Sequence, residues 1–184
     1  MTGPLIDLSG AEPLEPERLQ AYFALTEAAS LLQHRVERHL RGEGDLSGVQ
    51  FQILMRLASG DGRATMTELA DGLVHSRSGL TYQAGLLEKA GLVTRAPSEQ
   101  DERAVVVTIT DEGVAVISRV LPGHIDVVRR SLLDQLSDDD VRRLAEMMAR
   151  VRDHMRAEPP RSAAARRSPS RAPVSGEAGG PAQA

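Results

Sequence analysis

The stretch T-M-T-E-L-A-D-G-L-V-H-S-R-S-G-L-T-Y-Q-A-G-L-L-E-K-A-G-L-V-T-R, residues 65–95, places two helix starts within a dozen residues. Thr65-x-x-Glu68 is a capping box, in which hydroxyl and carboxylate satisfy each other's orphan amides. Leu69, Ala70 and Leu73 supply the buried side of the short helix that follows. After a tight break a second helix runs from about Ser76 to Ala90, with Ser76 or Ser78 receiving its first amides. Gly91 supplies the left-handed position beyond its end, and Leu80, Leu86 and Leu87 line its inner face. Two β-rich runs come next, Leu92–Arg95 and Ala104–Ile109, joined by P-S-E-Q-D-E-R, a loop of hairpin length. A short helix, a tight turn, a second helix and a hairpin make a winged helix-turn-helix.

The flanks are helical as well. Leu19, Tyr22, Phe23, Thr26, Ala29, Leu32, Val36 and Leu40 keep helical spacing over about 17–41, and R-G-E-G-D at 41–45 ends the run. A further helix spans about Ser47–Ser59, with Phe51, Leu54, Met55 and Leu57 facing inward. Thr110-Asp111-Glu112 opens a long helix rich in valine and leucine, which Pro122-Gly123 should kink or break. Ser137-x-x-Asp140 is another capping box, starting a helix with Leu144, Met147, Met148, Val151 and Met155 on one stripe. These terminal helices carry more apolar surface than one small domain buries, which predicts pairing with a second copy of the chain. The predicted organisation is a flexible arm at 1–16, an N-terminal dimerisation helix within 17–46 and the winged helix-turn-helix lobe at 47–110. C-terminal dimerisation helices follow at 111–156, and an Ala/Pro/Arg tail without periodicity, disordered on composition, at 157–184. The fold class is mainly α, a winged helix-turn-helix with a two-stranded β wing.

Composition narrows the function. Without cysteine there are no disulfides and no thiolate zinc sites. No apolar run is long enough to span a bilayer and the N-terminus lacks a basic, then hydrophobic, leader, so a cytoplasmic location without membrane contact is expected. Tyr22, Phe23, Phe51 and Tyr82 are the only aromatics, too few for stacking single-stranded bases. The net charge is −4, unevenly spread: four arginines against two glutamates make 157–184 +2, leaving −6 on 1–156. A net acidic chain still holds DNA through a local basic patch. The histidines are scattered, with no H-E-x-x-H, and there is no phosphate-binding glycine loop, nucleophile elbow or triad pattern. No catalytic residue, metal site or cofactor is predicted.

A recognition helix works because its width fits the major groove, with its N-terminal side chains meeting base edges. Ser76, Arg77, Ser78, Thr81, Tyr82 and Gln83 are the hydrogen-bonding residues at that end. In the hairpin, Arg103 and Arg95 are the long cations suited to phosphates or the adjoining minor groove, and Asp101 sits where it can brace the Arg103 guanidinium and shape the turn. Taken singly, each of these is as well read as an ordinary surface residue; their order along the chain favours double-stranded DNA.

In that order the sequence resembles the MarR-type transcriptional regulators. The resemblance is carried by T-E-L-A-D-G-L at 67–73, S-R-S-G-L-T at 76–81, L-E-K-A-G-L-V-T-R at 87–95 and D-E-R-A-V-V-V-T-I-T-D-E-G at 101–113. It implies a homodimer on a pseudo-palindromic operator, more often repressing than activating. It also implies that the residues just named face DNA and that Asp101 and Arg103 form the wing pair. Many relatives have a basic residue in place of Tyr82 and a second arginine in place of Glu102, so this chain carries less local positive charge. Small phenolic or lipophilic acids are common effectors in the family, bound between dimer helices and DNA-binding lobe. By position Tyr22, Leu25, His34, Phe51, Met55 and Val116 would line such a site, although each is individually better read as a core residue. The acidic balance and Tyr82 also support a rival reading, a winged helix used for protein contacts with weak or lost DNA binding.

Overall fold

In the computed structural model, which describes residues 14–157 apart from Val74, Gln100 and Glu102, the first helix, α1, runs Pro16–Gly44. It passes through Gly42 and ends at Asp45, which takes a left-handed conformation (φ 50°) and sends its N–H back to Arg41 O. The helix therefore outlasts the expected end at Arg41. Helix α2, Gly48–Ala58, is capped by Ser47, whose hydroxyl and amide exchange hydrogen bonds with Gln50 at 3.2 and 2.8 Å. The Glu37 carboxylate accepts from Gly48 N–H at 2.7 Å, tying α1 to the start of α2.

Strand β1, Arg63–Thr65, leads directly into α3, Met66–Gly72. Thr65 is both the last strand residue and the helix cap, and its reciprocal bonds with Glu68 complete the box read from the sequence. Helix α4, Arg77–Lys89, is capped by Ser76 and followed by Gly91 at φ 74°. Strands β2 (Val93–Pro97) and β3 (Val105–Ile109) form the hairpin, with Arg95 opposite Val107. β1 pairs with the other edge of β3, Ala64 opposite Val107, so the sheet has three strands in the order β1-β3-β2 rather than the two expected. A three-residue strand, Arg-Ala-Thr, shows no alternation in sequence; its pairing comes from a partner more than forty residues away.

Helix α5, Asp111–Ser131, is capped by Thr110 and continues through Pro122, so the break allowed for at Pro122-Gly123 does not occur. Gly123 has a packing role there: a Cβ would lie 2.4 Å from His39 Cε1, so only glycine lets α1 and α5 approach at this level. The His39 Nε2 also lies 3.1 Å from Val120 O. A 3-10 turn, Leu133–Gln135, leads to α6, Asp138–Ala157, whose cap is the expected Ser137–Asp140 box. The chain divides into two units after Val141, so most of α6 forms a unit of its own, and none of its described residues is buried.

The core of the first unit gathers Leu40, Leu46, Phe51, Ile53, Leu54, Leu57, Leu69, Leu80, Leu87, Val93, Val107, Val116, Ile117 and Val120 from α1 to α5, β2 and β3, and Ala64 of β1 packs against it. Leu69 and Leu80, both fully buried, fix α3 and α4 on this core and so set the angle at which α4 is presented. Leu86 is only partly buried, because it lies at the margin of that face.

Candidate nucleic-acid interface

The cap at Ser76 organises the exposed end of α4. Its Oγ accepts from Gly79 N–H at 3.2 Å and lies 3.4 Å from Ser78 Oγ, so Ser76 holds the helix start. Thr81 Oγ1 donates back to Arg77 O at 2.9 Å, a local bond made within the exposed first turns of the helix. Arg77, Ser78, Thr81 and Tyr82 are exposed, and Tyr82, 65% accessible, is among the most exposed large apolar side chains of the described chain. The four therefore share the outer face of the first two turns, in the arrangement a groove-reading helix needs. Gln83 is different: it is half-buried, and its Oε1 is buried with no hydrogen-bond partner among the described residues.

At the wing, Ser98 N–H donates to Ala104 O and Ala104 N–H donates to Asp101 O, both at 2.8 Å, closing the loop that carries Arg103. The Asp101 carboxylate accepts from the Arg103 backbone N–H at 3.0 Å. Asp101 thus shapes the turn, as expected, through the Arg103 backbone rather than its guanidinium. Asp101 and Arg103 are both exposed, and Glu102 between them lies outside the described residues.

Arg95, the other cation predicted for DNA, turns toward the protein. Its Nε and Nη2 both donate to Glu88 Oε2, at 2.9 and 2.6 Å. Those bonds hold the Glu88 carboxyl below its ordinary range. Glu88 and Gly85, over which the guanidinium lies, were missed as site residues; the only sequence signal is that both stand on the turn of α4 nearest the strand.

The six residues proposed to line an effector site are dispersed. Tyr22, Leu25 and His34 lie on exposed faces of α1, His34 with its Nε2 2.9 Å from Arg38 Nη2. Phe51 and Val116 are buried in the core and Met55 packs against it. None of them lines the cleft between α1 and α5, about 590 Å³, whose walls include Arg35, Arg38, His39, Glu43 and Arg130. His124 of α5, not singled out from sequence, lies against one of them: its ring is 4.6 Å from that of Phe51 and its Nδ1 is buried without a partner among the described residues. Burial first, then the charge of His39, pushes its pKa below the usual value. No group of three metal-ligating side chains occurs among the described residues.

Residues 44–104 match the sequence model of the MarR family. The chain is 31% identical over 128 residues to the HTH-type transcriptional regulator PecS of Dickeya dadantii, covering 68% of this chain and 76% of that one. It is 30% identical over 137 residues to the transcriptional repressor YetL of Bacillus subtilis, covering 72% and 81%. Among solved structures, Sco3205, a MarR family transcriptional regulator from Streptomyces coelicolor crystallised in complex with DNA, superposes with a TM-score of 0.76 at 33% identity, over 82% of this chain and 94% of that one. This chain belongs to the MarR family of winged helix-turn-helix transcriptional regulators and is not an enzyme.

Proposed function

We propose that the protein binds a pseudo-palindromic operator as a homodimer and represses transcription there, in the cytoplasm. The observation that carries the DNA reading is the outer face of α4, where Arg77, Ser78, Thr81 and Tyr82 stand together at the amino end while Leu80, Ala84 and Leu87 are buried on the opposite side. A helix that hides its leucines and offers donors and acceptors at its first turns suits base-edge reading. Arg103 on the exposed wing loop is proposed as the phosphate or minor-groove contact. The homodimer is supported by apolar side chains that α1 and α6 leave uncovered, among them Leu19, Tyr22, Phe23, Met147, Val151 and Met155. Repression is favoured by the likeness to YetL, a named repressor. No described helix is long and apolar enough to cross a membrane.

Selection of bound sequences from random duplexes tests this reading. Recovery of a palindrome with half-sites about one helical turn apart, roughly 34 Å, is expected. Enrichment of single, unpaired half-sites would refute the dimer, and no enrichment would refute sequence-specific binding. A release mechanism is proposed where the His124 ring lies against Phe51, with a phenolic or lipophilic acid offering its oxygen to His124 Nδ1. Coupling of ordinary size, about 5–150-fold, would appear as a loss of operator affinity on adding salicylate. His124→Leu should abolish that loss.

A further inference from the structure

A wing contributes to DNA binding only if its tip is held at a fixed angle to the recognition helix. The residues that could set that angle lie at the base of the hairpin. In β2, Val93 and Arg95 share one face of the strand, and Val93 is buried. Arg95 therefore points toward α4 instead of toward solvent, and it is only half exposed. The helix residue beneath it is Gly85, where a Cβ would stand 3.8–4.0 Å from three guanidinium atoms, so the planar group lies over this turn of α4 at ordinary contact distance. Three residues further along the helix, Glu88 receives Nε–H and Nη2–H on one oxygen at 2.9 and 2.6 Å. Beyond Ala96 the hairpin leaves its supports: β1 pairs with β3 at Val106 to Thr108, and the Pro97–Val105 pair lies past the end of β1.

We propose that Arg95 and Glu88 are a positioning pair that fixes the wing relative to the recognition helix, and that operator affinity depends on Glu88 although it is an acid. This rests on the DNA-binding reading above and assigns Arg95 a role inside the protein rather than on the phosphates. Releasing the pair leaves every DNA-contacting side chain in place but lets the wing sample other angles. Apparent affinity then falls by the fraction of time the wing spends in register.

The experiment is a fluorescence-anisotropy salt titration of the full-length protein and its Glu88→Gln and Arg95→Lys variants on the selected operator duplex, with circular dichroism checking the fold. Glu88→Gln is expected to bind about tenfold more weakly, corresponding to a wing in register about one-tenth of the time. Its dependence of log K on log salt is expected to be unchanged, because the same phosphates are contacted once bound. Arg95→Lys, which keeps the charge but loses the planar two-donor geometry, should weaken binding in the same way. Amides of residues 96–104 should exchange faster in Glu88→Gln than in the unmodified chain. Binding by Glu88→Gln as tight as the original or tighter would overturn the pair, since that is the result for a surface acid repelling DNA. A salt slope reduced by about one in an Arg95→Ala variant would also overturn it, by making Arg95 a phosphate contact. Absence of salt-dependent binding by the unmodified protein would overturn the DNA reading itself, and this proposal with it.

Discussion

Replacing Gly113 with alanine should destabilise the protein severely, while the same change at Gly42 should stabilise it. Gly113 is the third residue of α5, and its N–H donates to the Thr110 Oγ at 3.1 Å. A Cβ there would lie 2.2 Å from Leu92 O and 2.8 Å from Ile109 Cγ1. An ordinary carbon–oxygen approach is about 3.3 Å, so backbone must move by roughly 1 Å. Leu92 O has little freedom to yield, because it accepts from Thr110 N–H at 3.1 Å, and the Thr110 hydroxyl donates to Gly91 O at 2.7 Å. Overpacking that forces side-chain and backbone shifts costs about 1–3 kcal/mol, and a clash with a hydrogen-bonded carbonyl belongs at the top of that range, about 3 kcal/mol. At Gly42, inside α1, a Cβ meets nothing within 4 Å. Alanine there reduces the freedom of the unfolded chain and should gain about 0.5–1 kcal/mol. Urea unfolding followed by circular dichroism measures both, at one protein concentration because the proposed dimerisation would shift apparent stability. A Gly113→Ala midpoint within about 0.5 kcal/mol of the original, or a loss at Gly42 equal to that at Gly113, would refute the packing argument.

At the interface, Arg103→Ala should weaken binding to all duplexes alike and reduce the salt slope by about 0.9, whereas Arg77→Ala should relax preference at one base pair by about 1–3 kcal/mol. An unchanged salt slope for Arg103→Ala would remove the wing contact. Thr65→Ala removes the α3 cap and should cost about 1 kcal/mol in urea unfolding. The Thr65 bonds hold the Glu68 pKa below 4.5, so the stabilisation they give is complete above that value and disappears as pH falls through the lowered pKa. Thr65→Ala should therefore show a smaller loss of stability on acidification than the original protein. His124 has a pKa depressed below 6.5 by burial, so the native state binds fewer protons there than the unfolded chain. Its contribution is full above 6.5 and falls as the pH drops below it, and the urea midpoint of His124→Leu should vary less between about pH 7.5 and 5.5. A steeper dependence in the variant would contradict the assignment.

What could be read from the chain alone were features whose cause is local. The Thr65–Glu68 and Ser137–Asp140 boxes are four-residue hydrogen-bond loops, and Gly91 marks a helix end because its backbone needs positive φ. The leucine spacing of α4 likewise separates an inner face from an outer one, so the exposed residues at 77–82 followed from the sequence. Tertiary structure decided everything set by partners distant in sequence. β1 exists because β3 offers it an edge, and α5 continues through Pro122 while packed along α1, where Gly123 admits the His39 ring. Gln83 has its carbonyl oxygen buried, a matter of fractions of a helical turn that residue spacing does not resolve. Arg95 shows the difference most clearly. Its charge and place in a hairpin suggest a phosphate contact, but a strand face is chosen by what packs against it. Here a glycine and a glutamate on α4 provide a half-buried seat for the guanidinium, and the cation turns inward.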